Sequence, residues 1–578
     1  MLHRLRPALT LLATGLLCPT ALHAASPAPV AAPNGMVVTA QHLATKVGVD
    51  VLKAGGNAID AAVAVGYALA VVYPAAGNLG GGGFMTLRLA DGRSSFIDFR
   101  ETAPLAARPG MYLGPDGQPV PGLSRRGHLA VAVPGTVAGL EMARSKYGTL
   151  SPLLLMSPAI RLADEGFVLE QGDADMFSTA ADDLRRDAAA ATVFLPQGEP
   201  PAAGARLVQK DLAQTLRRIA EEGPGGFYRG PVGAALVESS QAGGGILQAA
   251  DLERYAAREL RPVECDYRGW RVVSAPPPSA GGVVLCQMLN VLEGYPLADW
   301  GWRAAKAVHV QIEAMRHAYV DRNHALGDPD FVNNPIVQLT SKDHAAQIRA
   351  TIDPARAGDA RSVRPGVPPH AAWHEGSNTT HYSIVDRLGN AVSVTYTLND
   401  WFGARVMAPG TGVLLNNEMD DFTIASGVPN LHGLVQGRAN AIAPGKRPLS
   451  SMSPTIVLRD GQVAMVLGTP GGSRIITTLL HTLVNVIDHG MTIQEAVDAP
   501  RFHQQWLPEA TSLEPFALSP DTRDILLGMG HQFAPAQPAN HVAAILVGAP
   551  SVGGKPVGNN RLYGANDPRR GTGLALGH

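Results

Sequence analysis

Between Gln41 and Val72 apolar residues recur at helical spacing in two runs separated by Gly55-Gly56, which predicts two helices. The second, Ala58 to Val72, is apolar almost throughout, with Asp60 and Gly66 as the exceptions. At 15 residues it reads as a buried core helix, too short for a membrane span. It ends at Tyr73-Pro74 and leads into the glycine-rich stretch Gly77 to Met85. A strand over Thr86 to Ala90, a turn at Asp91-Gly92 and a strand over Ser94 to Phe99 are expected next. Residues 130–325 alternate helical patterns with short connections. Pro276-Pro277-Pro278-Ser279 precede a helix over roughly Val283 to Glu293, and another helix covers Arg303 to Asn323. Over residues 352–376 the pattern lapses into an Arg/Gly/Pro-rich stretch, an expected exposed boundary. Beyond it, strand-like runs Thr379 to Asp386 and Ala391 to Leu398 flank the turn Arg387-Leu388-Gly389-Asn390, which predicts a hairpin. Centred on Leu388, that hairpin sets Thr379 directly opposite Thr397, where Cβ atoms lie about 4.5–5.5 Å apart.

Composition narrows the class. Of 578 residues, 46% are hydrophobic and 17% charged, which suits a large globular protein with a substantial core. The 47 basic and 49 acidic side chains nearly cancel, so no broad basic field is present to hold nucleic acid or an anionic membrane. At the N-terminus His3, Arg4 and Arg6 precede an apolar run from Ala8 to Leu17 and a small-residue stretch ending at Ala24-Ala25. This reads as a secretory signal peptide over 1–24, with no membrane span once it is removed. The expected location is therefore periplasmic or extracellular. Cleavage would remove Cys18 and leave Cys265 and Cys286, either bridged or as thiols with Cys286 buried in an apolar helix.

The candidate chemistry is sparse when read residue by residue. The glycine run is followed by a strand, with no Lys-Ser/Thr, so close backbone packing explains it better than phosphate binding. His317, Asp321 and His324 share one helix face, but no further ligand is suggested, and a solvated or capping cluster is expected. No cofactor and no metal are expected. No Gly-x-Ser-x-Gly elbow occurs. What stands out is a threonine opening a strand just after a weakly structured segment. At a chain terminus such a residue carries its own base, because an α-amine has a pKa of about 7.7–8.0.

Read together, the surrounding motifs decide the matter. From about Asn34 to the C-terminus the chain resembles the γ-glutamyltransferase (glutathione hydrolase) proenzyme family. The resemblance rests on Gly55 to Ala62, Gly77 to Met85, Asp98-Phe99-Arg100-Glu101, Val133-Pro134-Gly135-Thr136 and Pro276 to Ser279. It continues through Asn378-Thr379-Thr380-His381-Tyr382, Leu415 to Phe422, Arg447 to Pro454 and Gly468 to Ser473, in this order and spacing. The implied fold is α+β, an Ntn-hydrolase four-layer αββα sandwich with two mixed sheets. Large (25–378) and small (379–578) subunits cut from one precursor would form it jointly. The implied activity is autocatalytic cleavage at Asn378-Thr379, followed by attack of Thr379 on γ-glutamyl amides such as glutathione. The glutamyl group then passes to water or to an amino acid or dipeptide acceptor.

By the same resemblance Thr397 orients the nucleophile, and the N–H groups of Gly471 and Gly472 form the oxyanion hole. Arg100, with Ser450 and Ser451, takes the substrate α-carboxylate, while Asn399, Glu418 and Asp421 take its α-ammonium. Some relatives are cephalosporin (glutaryl) acylases and some hydrolyse poly-γ-glutamate. The acylases tend to lack the acidic residue at the Asp421 position and a lid loop, and this chain keeps both Asp421 and the segment Ser426 to Gly437. Bacterial members often carry tyrosine in that lid where His432 stands, which is expected to be an exposed loop histidine or a pH-sensitive contact. A secreted binding protein without catalysis would have lost Thr379 or the glycine pair, and this chain keeps them.

Overall fold

A computed structural model describes residues 26–363, 379–536, 538, 540–549, 551–552 and 561–578. The expected signal peptide and Asn378 lie outside the described residues. Before residue 379 come strands β1 (Val30–Ala32), β2 (Met36–Thr39), β3 (Gly82–Arg88), β4 (Ser94–Phe99), β5 (Arg258–Leu260), β6 (Val263–Tyr267) and β7 (Trp270–Ser274). After it come β8 (Thr379–Val385), β9 (Ala391–Thr397), β10 (Thr455–Arg459), β11 (Gln462–Gly468), β12 (Ala543–Val547), β13 (Leu562–Asn566) and β14 (Leu574–Gly577). They form two seven-stranded sheets, ordered β14-β2-β8-β9-β3-β4-β5 and β1-β13-β12-β11-β10-β7-β6. In each sheet, strands from before and after residue 379 lie side by side. Every neighbouring pair is antiparallel, which corrects the expected mixed sheets. Four of those pairs are hairpins joined by short turns, a connection that forces antiparallel pairing.

Period-two alternation assigns the layers. Ile384, Val392, Val394 and Tyr396 turn outward to pack with α1 (His42–Lys53) and α2 (Ala58–Val72). On the far side Val272, Val457, Met465 and Leu546 pack with α3 (Gly281–Leu292), α4 (Ala305–Ala325) and α5 (Arg474–Ile487). Between the sheets lie Val38, Val385, Val273, Ile456, Val466 and Ile545. Hydroxyls also bridge the sheets: Ser383 donates to the Ala543 carbonyl at 3.0 Å and Ser393 to that of Leu467 at 3.1 Å. The result is the αββα sandwich of an Ntn-hydrolase.

Local chemistry explains the element ends. The Asn57 side chain accepts from the N–H groups of Ile59 and Asp60 at 2.9 Å, and Asp60 returns a bond to Asn57 N at 3.0 Å. This capping box starts α2. Asp60, the polar exception in that helix, also accepts from Thr149 N and Leu150 N, so it is buried and satisfied. β3 begins inside the glycine run, at Gly82, four residues earlier than expected. A Cβ at Gly81 would lie 2.0 Å from the Thr397 carbonyl oxygen, so only glycine admits the neighbouring strand. Cys265 on β6 and Cys286 on α3 are joined by a disulfide. Among the described residues no helix is long and apolar enough to cross a membrane.

Candidate active site

The hairpin register is the predicted one: Thr379 pairs with Thr397, and the turn centres on Leu388. Both threonines are buried, with their Oγ1 atoms 3.3 Å apart. Thr397 Oγ1 also accepts from Asn399 N at 2.8 Å. Thr379 therefore opens β8 on the inter-sheet face, where its hydroxyl meets a second hydroxyl already held by backbone.

A pocket opens beside it, lined by Thr379, Thr397, Arg100, Asn399, Glu418, Asp421, Ser450, Ser451 and Gly472. Arg100 follows the end of β4 and is completely buried. Its guanidinium forks to two carboxylates: one Nη pairs with Glu418, the other with Asp421 Oδ2 at 2.6 Å. Nε donates to the Pro448 carbonyl at 3.2 Å, and Glu101 lies 3.6 Å away. Burial works against the Arg100 charge, but Glu418, Asp421 and Glu101 more than offset it and raise its pKa. Burial likewise pushes Glu418 well above the usual carboxylate range and Glu101 up to about 7, against the pull of Arg100. The pocket therefore holds cation and anions against each other before any substrate enters. A zwitterionic amino-acid head group offers each of them a like-for-like replacement partner.

Ser450 and Ser451 are fixed by backbone. Ser450 N donates to Pro278 O at 2.9 Å and Ala280 N donates to Ser450 O at 2.9 Å, so the proline motif before α3 seats the serine pair. Gly471 and Gly472 have φ of 126° and 53° and stand just before α5, whose N-terminal end favours negative charge. A Cβ on Gly471 would lie 2.1 Å from Asn540 Oδ1, and one on Gly472 2.2 Å from His432 Nδ1. Gly472 lines the pocket and Gly471 stands one residue behind it.

His432 departs from the exposed-loop expectation: it is buried at 5% exposure and lines the pocket. Its Nε2 is 3.0 Å from Asn399 Oδ1 and 3.9 Å from Asp421. Burial lowers its pKa, with Asp421, Asp420 and Asp400 pulling the other way. The loop around it is tied inward, because Leu431 N donates to Asp420 at 2.6 Å and Asn430 Nδ2 to Asp421 at 3.0 Å.

Sequence reasoning missed Arg322. It lies on α4 beside the His317/Asp321/His324 face, fully buried, and its Nη2 donates to Ser451 Oγ at 2.9 Å. Its other bonds run to Gln436 and Asn323, and it lines the same pocket as Arg100. Nothing in the sequence marked it, since the helix expected over Arg303 to Asn323 carried no sign of which face meets the pocket. His317 and His324 do not converge on one ligand position: Asp321 holds His344 at 3.0 Å, His317 Nε2 lies 3.4 Å from Thr351 Oγ1, and the ring of His324 packs on Trp506.

Comparison with known proteins follows the same line. Residues 44–576 match the profile of a family described as gamma-glutamyltranspeptidase. A glutathione hydrolase proenzyme of Pseudomonas sp. (strain A14) is 67% identical over 98% of each chain. One from Escherichia coli (strain K12) is 47% identical over 95% of this chain and 93% of its own. Among solved structures, a cephalosporin acylase from Bacillus halodurans superposes with a TM-score of 0.82 at 27% identity, over 97% of this chain and 98% of its own.

Proposed function

The chain belongs to the gamma-glutamyltranspeptidase family, and from that premise we propose that it is an exported proenzyme that cuts itself before Thr379 and then hydrolyses or transfers γ-glutamyl amides, glutathione first among them. One observation carries this reading. The residue that would become the new N-terminus opens a buried strand with its hydroxyl 3.3 Å from Thr397, in a pocket containing Arg100, Asp421 and Glu418.

In the first reaction the Thr379 hydroxyl adds to the carbonyl of Asn378 and the peptide nitrogen leaves as an amine, giving an ester that water opens. The products are residues 25–378 and 379–578. The α-amine so released sits on the same residue as the hydroxyl and, with a pKa of about 7.7–8.0, accepts its proton at neutral pH. The hydroxyl then adds to the γ-glutamyl carbonyl. Backbone N–H groups of Gly471 and Gly472 hold the oxyanion. The leaving amine, cysteinylglycine from glutathione, takes the proton, and water or an amino acid or dipeptide amine removes the glutamyl group. Arg100, Arg322, Ser450 and Ser451 suit the α-carboxylate, while Asp421, Glu418 and Asn399 suit the α-ammonium. The enzyme would act in the periplasm or outside the cell as a heterodimer of its two fragments.

The test is a denaturing gel with N-terminal sequencing of the mature protein. Two bands are expected, the smaller beginning Thr-Thr-His-Tyr, and Thr379→Val should give one uncut, inactive band. A single band with full activity, or an active valine variant, overturns the reading. The likeness to a cephalosporin acylase raises a second reading, a glutaryl amide as donor. A glutaryl group carries no α-amine and would make no use of Asp421, Glu418 and Asn399, so the γ-glutamyl donor is preferred. Parallel assays with a γ-glutamyl anilide and a glutaryl anilide separate the two.

A further inference from the structure

Away from the pocket, three side chains that this chemistry does not use converge. His309 and Glu313 lie one turn apart on α4, and His531 follows α6 (Pro520–Gly528). One nitrogen or oxygen from each falls within 4.8 Å of the others, and all three residues are buried. His309 Nε2 is 2.8 Å from the Asp353 carbonyl oxygen, so that nitrogen carries the proton. This leaves Nδ1 to accept from His531 Nε2–H at 2.8 Å, and that proton must move before an ion can enter; His531 Nδ1, buried with no hydrogen-bond partner among the described residues, can take it. A ring whose second nitrogen donates to a backbone carbonyl is the arrangement that orients metal-ligating histidines. Glu313 is held by Gly358 N at 3.1 Å, and a Cβ on Gly358 would lie 2.6 Å from its Oε2. A cavity bordered by Asp353, Arg356 and Gly358 reaches one of the three, Glu313.

We propose that His309, Glu313 and His531 bind a borderline divalent cation, Zn2+ or its close analogues Co2+ and Ni2+. Two imidazoles and one carboxylate match that class, whereas Mg2+ and Ca2+ take oxygen ligands. Metal–nitrogen bonds of about 2.0–2.1 Å put tetrahedral ligands about 3.3 Å apart, so the two rings must part by about half an ångström to admit the ion. Water fills the fourth position. The competing charge is Arg316, whose Nε lies 3.5 Å from Glu313; Glu509, 3.7 Å from Nη1, draws it the other way. Two ligands precede residue 379 and the third follows it, so the ion would clasp together the two fragments that the proposed cut creates. It would also steady the stretch from Asp353 to Gly358, which leads toward that cut.

The test uses purified, tag-free, chelator-stripped protein titrated with CoCl2. Visible d–d absorption saturating at one Co2+ per molecule is expected, together with its bleaching by one equivalent of ZnCl2 and a higher unfolding midpoint with ZnCl2 present. His531→Ala and Glu313→Gln should abolish the signal. Retained γ-glutamyl anilide hydrolysis in each variant shows that it has folded. Should either variant fail to fold, the wild-type titration decides alone. No stoichiometric Co2+ signal in the wild type, or an unchanged one in a folded variant, overturns the site.

Discussion

Arg100 shows what a single residue contributes. Its guanidinium is buried against Glu418 and Asp421, so removing it takes away the fork proposed for the substrate carboxylate and also strands two carboxylates. Truncating one partner of a desolvated charge pair costs roughly 2–5 kcal/mol. At about 1.4 kcal/mol per decade, Arg100→Ala should lower kcat/KM for a γ-glutamyl anilide at least about thirtyfold. Arg100→Lys, which keeps the charge and loses the fork, should fall between that variant and the wild type. Wild-type kinetics in the alanine variant would remove Arg100 from the substrate site. Motif order made this arginine legible in the sequence. Arg322 was not, because a lone arginine in a helix looks the same whether it faces solvent or a pocket. The exposed-loop alternative for His432 failed for a related reason: nothing local says that Asn430 and Leu431 fasten their loop onto Asp420 and Asp421.

At the scale of elements, the turn into α5 is the most demanding piece. Gly472 sits at φ 53° with His432 Nδ1 2.2 Å from where a Cβ would be. Gly472→Ala carries the left-handed penalty of about 1–2 kcal/mol and pushes the histidine ring off Asn399. We expect kcat/KM to fall by about tenfold or more, with His432→Ala in the same chain restoring part of the loss, since contacting residues couple in a double-mutant cycle. Equal losses in the single and double variants would show that the ring is not what the methyl meets. The hairpin was readable because a turn fixes register locally. The glycine run was half-readable: its meaning is the Thr397 carbonyl, supplied by a strand more than 300 residues away in sequence. The disulfide between β6 and α3 was open for the same reason, since composition cannot say that two elements meet.

For the whole molecule, buried histidines set the response to acid. Burial lowers His381 and His503 to about 3 and His541 to about 4, so the folded state refuses protons that the unfolded chain accepts near 6.5. Their contribution is complete above pH 6.5 and drains as pH falls, at about 1.4 kcal/mol per unit for each. Glu101, raised to about 7, and Asp173, raised to about 6, take up protons first in the folded state and offset part of the loss. Thermal unfolding should therefore give a lower midpoint at pH 5 than at pH 7.5; an equal or higher one at pH 5 would contradict these burial-driven shifts.

The interleaving of strands carries one more consequence. With β2 held between β14 and β8, and β10 next to β7, the two polypeptides that the proposed scission would leave share ladders as warp and weft share a cloth. Pulling them apart means unravelling both sheets, so the pair has no reversible dissociation step short of denaturation. Specific activity should stay constant under extreme dilution, and fragments bearing heavy isotopes should not swap partners with unlabelled ones over days of mixing.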